Sequence, residues 1–215
     1  MECMKLILAL SLSLALSSVA FADVFASPLT VERSKELAQV LSAMQQQKYL
    51  RGSFRQVRTV KKINRDFVST GSFVIADTLG ILWNMEKPFQ SLTTITRDKM
   101  LQKNASGAVS QMNMKDNAVF GQVSQTIQGI FLGNRKMLEE RFQIFFEMGK
   151  DGPWTIGLVP KESVIKKQIS SVVLSGHKWL EKVTLSDADG NPILYEFSKV
   201  EGSISLTPEE SALLR

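Results

Sequence analysis

The sequence predicts an α+β fold that is mainly β, a long curved antiparallel sheet with helices on its concave side. Three observations carry this. From Tyr49 onward, apolar residues recur at every second position in one run after another, which puts them on one face of pleated strands. The runs are short and are joined by turn chemistry such as Asp77-Thr78-Leu79-Gly80, Asn104-Ala105-Ser106-Gly107 and Asp187-Ala188-Asp189-Gly190-Asn191-Pro192, as in a meander. Helical periodicity is confined to a segment before the strands, a segment in their middle and a short piece at the end. A two-sheet sandwich is the competing architecture for such a strand series.

The N-terminal stretch stands apart from this pattern. Lys5 precedes the apolar run Leu6 to Leu16, and Ala20-Phe21-Ala22 gives a small-x-small site before Asp23. This predicts a secretory signal peptide, residues 1–22, cleaved after Ala22; it is too short and wrongly flanked for a stable span. An N-terminal anchor is the other reading. The single cysteine, Cys3, precedes the apolar run and leaves with the signal. Residues 23–215 then form a single domain of 193 residues that must be stable by packing alone in an oxidising compartment, most simply a bacterial periplasm.

Taken in order, Asp23 to Pro28 reads as a flexible leader. Thr30 is positioned to cap a helix whose stripe is Leu37, Val40, Leu41 and Met44, and Gln45-Gln46-Gln47 ends that stripe. Tyr49 to Val60 and Phe67 to Ala76 alternate as strands around a polar turn from Lys61 to Arg65. Within Gly71 to Phe89, Phe73 and Ile75 on one strand and Ile81, Trp83 and Met85 on the next present bulky groups to one face. Such a face needs a cover. Gln90 to Arg97, Lys99 to Lys103 and Ala108 to Met114 continue the meander.

From Asn117 to Leu132 the period changes to helical, with Val119, Val123, Ile127, Ile130 and Phe131 on one stripe. No charge lies between Val119 and Leu132, and Gly121 and Gly129 each weaken the helix by roughly 1 kcal/mol relative to alanine, so it must be held by what its apolar face touches. Arg135 to Arg141 reads as a short charged helix. Strands then resume: Phe142, Ile144, Phe146 and Met148; Trp154, Ile156 and Leu158; Val164 to Leu174; Trp179 to Asp187; and Ile193, Tyr195 and Phe197. Thr207-Pro208-Glu209-Glu210 carries a cap, a first-position proline and a carboxylate three on, predicting a short terminal helix.

Composition narrows the function classes. The formal charge is +5, and Lys61-Lys62 and Lys166-Lys167 could favour anionic membranes or acidic partners; a solvated face is the plainer reading, since no run exceeds two consecutive basic residues. Nucleic acid is excluded as a partner on an exported chain whose aromatics lie in alternating strands without interleaved Arg and Lys. An enzyme finds little support. His177 is the only histidine, so there is no second one for a zinc site, and no cysteine remains for a thiolate. Asp187 and Asp189 lack the glutamate that a calcium loop needs, and a hairpin turn is the better reading. No cofactor or metal is expected.

Phe54-x-Gln56 after an amphipathic helix, Gly71-x-Phe73, Trp83-x-Met85 and Pro88, followed by Trp154-x-x-x-Leu158-x-Pro160 and Leu174-x-Gly176, resemble the periplasmic lipoprotein carrier family of the Lol pathway, closest to a LolA-like branch. The resemblance covers nearly all of residues 23–215. It implies an unclosed antiparallel β half-barrel of about eleven strands with a helical lid, the segment from Asn117 to Phe131, over a hydrophobic cavity for acyl chains. Carried over residue by residue, Phe54, Phe73, Ile75, Ile81, Trp83, Met85 and Ile144 would line it. Where the family has a lid-latching arginine this chain has Asp77, which cannot donate to carbonyls, so lid control must differ.

The function so implied is a monomeric periplasmic shuttle. It would take a lipoprotein, glycolipid or other acylated cargo from a transient inner-membrane donor towards an outer-membrane acceptor. Adaptable methionines (Met85, Met100, Met112, Met114, Met137 and Met148) suit a site that binds and releases hydrocarbon. The alternative is a periplasmic sensor or scaffold module that uses the same half-barrel to bind an envelope protein or lipid.

Overall fold

The computed structural model describes residues 23–113, 118–150 and 152–215, and of residues 118–124 the backbone alone. Residues 1–22, on which the signal-peptide reading rests, lie outside this description, as do Met114, Asp151 and the side chains of Val119 and Val123. The described strands, numbered along the chain, form one antiparallel sheet of eleven, in the order β6-β5-β4-β3-β2-β1-β11-β10-β9-β8-β7. The two strand series meet at the pairing of β1 (Tyr49–Val60) with β11 (Pro192–Ser203). The end strands β6 (Val109–Asn113) and β7 (Phe142–Met148) are not paired with each other, so the barrel stays open.

On one side of that central pair lie β2 (Arg65–Ala76), β3 (Gly80–Lys87), β4 (Ser91–Ile95) and β5 (Lys99–Asn104). On the other lie β10 (Leu180–Asp187), β9 (Ile169–Gly176) and β8 (Trp154–Pro160). Register irregularities at Arg51/Ser53, Thr70/Gly71 and Leu180/Lys182, with Lys199 at φ 53°, add local twist. One reciprocal contact sets the register of β1 on β2. Gly52 stands opposite Phe73 and Phe54 opposite Gly71, and each phenyl ring lies where the facing glycine would otherwise carry a Cβ. A methyl on Gly71 would also meet the Asn84 carbonyl oxygen at 2.0 Å.

The inner face is covered by α1 (Val31–Gln45), α2 (Ala118–Phe131) and α3 (Arg135–Arg141). Leu37, Leu41 and Met44 of α1, Ile130 and Phe131 of α2, and Leu138 of α3 share one core with the inner residues of both strand series. Thr30 caps α1, as its position predicts, through its hydroxyl to the Arg33 N–H at 3.3 Å. The outer face has its own smaller core, in which Leu82, Ala76 and Val74 meet Leu206 and Leu214 around α5 (Pro208–Leu213). Thr207 and Glu210 cap α5 reciprocally, and the Arg51 guanidinium holds the Glu210 carboxylate with two nitrogens, Nε to Oε1 at 2.7 Å.

Two local expectations change. Asp23 to Pro28 is packed rather than a loose leader: Val24 is buried over Gly157, Phe25 meets Phe145 edge-on, and the Ser27 carbonyl accepts from the Phe146 N–H along the otherwise free edge of β7. The segment read as one strand from Val164 to Leu174 begins with a helical turn, α4 (Ser163–Lys166), and β9 starts at Ile169. Ile165 on the helical turn and Ile169 at the first position of β9 are both buried in the core.

Candidate functional site

The inner-face core is not filled throughout. Between the sheet and α2 lies a cavity of about 250 Å³ with almost entirely apolar walls. Ile81 and Trp83 of β3, with Thr93 and Ile95 of β4, form one wall. Val183 and Leu185 of β10, with Tyr195 and Phe197 of β11, form the floor, and Phe142, Ile165, Ile169 and Val172 close the far side. Thr126, Ile127, Ile130 and Phe131 of α2 are the roof. Alternation explains the selection: each strand sends every second residue inward, so Ile81/Trp83, Thr93/Ile95 and Tyr195/Phe197 are pairs two apart.

Aromatic contacts fix the floor. Trp83 stacks on Phe54, with ring centroids 3.9 Å apart, and meets Tyr195 edge-on at 5.9 Å. Phe197 is wedged edge-on between Phe73 and Phe131, with centroids 5.4 and 5.0 Å apart respectively. Among the described residues of the wall Tyr195 is the only titratable side chain, and burial raises its pKa above the ordinary phenol value. The roof is tied at its polar margin by Arg141, whose guanidinium donates to the Thr126 hydroxyl and the Gln125 side-chain oxygen, both at 3.2 Å.

Of the residues singled out in the sequence, Ile81 and Trp83 line the cavity. Phe54 and Phe73 lie behind Trp83 in the aromatic cluster, and Ile75 is wholly buried beside Ile81. Met85 is half-buried farther along β3, and Ile144 is buried in the same core on β7, outside the cavity wall. Sequence reasoning did not single out Thr126, Arg141, Tyr195 or Phe197. For the last two the signal was present, in the apolar row that they form with Ile193.

Asp77 sits on the β2–β3 turn and borders a second, polar crevice of about 540 Å³ together with Gln47 of the α1–β1 connection and Gln125 and Gln128 of α2. His177 lies on the β9–β10 hairpin, more than half exposed, its Nδ1 3.8 Å from Glu181. Among the described residues the cavity walls carry no carboxylate, imidazole or amine. Among the described residues no group of His, Cys, Asp and Glu is placed to hold a metal ion, and no helix is long and apolar enough to cross a membrane.

An apolar hollow between an unclosed antiparallel sheet and a helix across its mouth defines a β half-barrel with a helical cover. The chain belongs to the LolA family: the model for outer membrane lipoprotein carrier protein LolA matches residues 45–210. Among solved structures, a LolA superfamily protein from Nitrosomonas europaea is 9% identical, covers 80% of this chain and 96% of its own, and has a TM-score of 0.46. A DUF1329 family protein from Desulfovibrio piger is 12% identical over 85% of this chain and 98% of its own, with a TM-score of 0.47. The lipoprotein LppX of Mycobacterium tuberculosis is 12% identical over 80% and 97%, with a TM-score of 0.45. No curated protein is significantly similar to the chain.

Proposed function

We propose that this protein is an exported, periplasmic carrier that binds an acyl chain of a lipidated cargo in the cavity beneath α2 and moves it towards the outer membrane. The observation that supports this most is the cavity itself. Its described walls are hydrocarbon apart from the hydroxyls of Thr93, Thr126 and Tyr195, and they carry no carboxylate, imidazole or amine. The family description, an outer membrane lipoprotein carrier, points the same way.

Magnitudes bound what the site can do. At roughly 30 Å³ per methylene-sized group, about the share of a water molecule in the liquid, 250 Å³ holds about eight groups. At ~0.8 kcal/mol each that is ~6 kcal/mol, against ~11 for a chain of ~14 carbons. The remainder of a long tail must run out over the inner face or lift α2. Partial burial suits a carrier, which must release what it binds.

Mass spectrometry of the hydrophobic molecules that copurify from native periplasm tests this reading. Acylated species enriched with wild type and depleted with Trp83→Ala support it. Equal recovery with both proteins contradicts it.

A further inference from the structure

The two ends of the half-barrel differ. At one, α1 and the aromatic cluster close the inner face. At the other, the end that carries the β1–β2, β3–β4, β5–β6, β8–β9 and β10–β11 connections, the inner face opens. Along β1, Phe54 is buried, Gln56 half-buried and Arg58 exposed; along β2, Phe73 is buried, Ser69 half-buried and Phe67 is 51% exposed. The antiparallel order brings connections far apart in sequence to this one rim.

The rim carries exposed apolar side chains on four connections. They are Ile63, Phe67 and Val68 at the β1–β2 tip, Phe89 (79% exposed) after β3, Val109 (62%) at the start of β6, and Val164 in α4. The other strongly exposed large apolar residues among those described, Val31, Met148, Ile204 and Leu213, lie elsewhere. Between the apolar tips stand Lys61, Lys62, Arg65, Lys87, Lys103, Lys166 and Lys167. All are exposed, and none forms an ion pair among the described residues. The acidic groups at this end are fewer, and two of them are engaged locally: Asp66 accepts from the Thr59 hydroxyl, and Asp187 from Asn191. The two lysine pairs, remote in sequence, thus share one surface.

We infer that this rim docks on an anionic lipid bilayer, its apolar tips entering the headgroup boundary while the lysines and Arg65 lie over lipid phosphates. Apolar side chains in a basic field suit an interface that is greasy below and negative at its surface. Scattered apolar exposure needs no explanation, but its concentration on one basic rim does. The placement also sets the open end of the inner face against the membrane. The inference shares only the cavity with the carrier reading, and either can fail alone.

Flotation of the chain from Asp23 onward, which contains every strand and helix described, with vesicles of phosphatidylcholine and phosphatidylglycerol against phosphatidylcholine alone is the test. Binding is expected only to the anionic vesicles and is weakened by salt. Lys61→Gln with Lys62→Gln should weaken it about 30-fold and Phe89→Ser about 10-fold. Ile204→Ser, on the exposed segment after β11, should leave it unchanged, and Phe89→Trp should emit to the blue on binding. Rim variants should still take up a fluorescent fatty acid in solution, which separates this test from that of the cavity. No flotation with anionic vesicles, or flotation that Ile204→Ser reduces as much as the rim changes do, overturns the inference in favour of an acidic protein partner.

Discussion

The indole of Trp83 lies on the ring of Phe54, centroids 3.9 Å apart and planes 25° apart, and the same side chain lines the cavity. One residue therefore serves both the packed aromatic core and the wall of the hollow. Its emission should report occupancy. A fatty acid brominated along its chain should quench Trp83 more strongly than Trp154, which is buried with its Nε1 donating to the His177 carbonyl. Trp83→Phe should remove most of the quenching while keeping the fold.

Chain length gives an independent reading of the cavity. Each methylene buried in it should raise affinity about fourfold, up to about eight carbons, and by less beyond that unless α2 lifts. A displacement series of saturated fatty acids checks this. Uniform gain through long chains, with faster amide exchange in α2, would mean that the helix moves aside.

Ile127 lies on the roof and is half-buried rather than fully enclosed in the core, so the fold should tolerate a change there. Ile127→Asp puts a carboxylate against the hydrocarbon and should weaken acyl binding by roughly 2 kcal/mol, about 30-fold, with little change in melting temperature. Calorimetric titration beside a thermal melt separates the two effects.

Arg141 ties α3 to α2 through Thr126 and Gln125. Arg141→Ala should loosen the roof at a cost of about 1–2 kcal/mol and raise hydrogen exchange at Thr126 and its neighbours more than in the sheet. Equal protection in the two proteins would show that the apolar face alone holds α2.

The Glu210 carboxyl lies below the ordinary glutamate range, chiefly because Arg51 donates to it. A carboxyl depressed in the folded state adds stability that is present above the unfolded pKa and is lost as pH falls through the folded one. Wild type should therefore lose stability below the ordinary glutamate range. Glu210→Gln should be less stable at neutral pH and show a shallower acid slope, a difference that denaturant midpoints across pH would reveal.

Much of this fold was legible in alternation and turn chemistry. The motif Gly71-x-Phe73 carried more than its letters suggest: the glycine is needed because Phe54 crosses it, and the phenylalanine because it crosses Gly52. Gly71→Ala should cost roughly 1–3 kcal/mol, since the new methyl would meet the Asn84 carbonyl oxygen at 2.0 Å as well as the Phe54 ring. The cavity wall was harder to read, because it gathers residues from β3, β4, β7, β9, β10, β11, α2 and α4, and periodicity names a face without saying where on it packing fails. The Arg141 tie was illegible for another reason. A charge on a short amphipathic helix reads as solvated until its neighbour is known.

The most direct test of the account is isotope-edited NMR of the protein with uniformly labelled palmitate. The account predicts contacts from the acyl chain to the methyl groups of Ile81, Ile95, Ile127 and Ile130. Contacts confined to the outer face near Leu206 and Leu214, or none at saturating ligand, would contradict it.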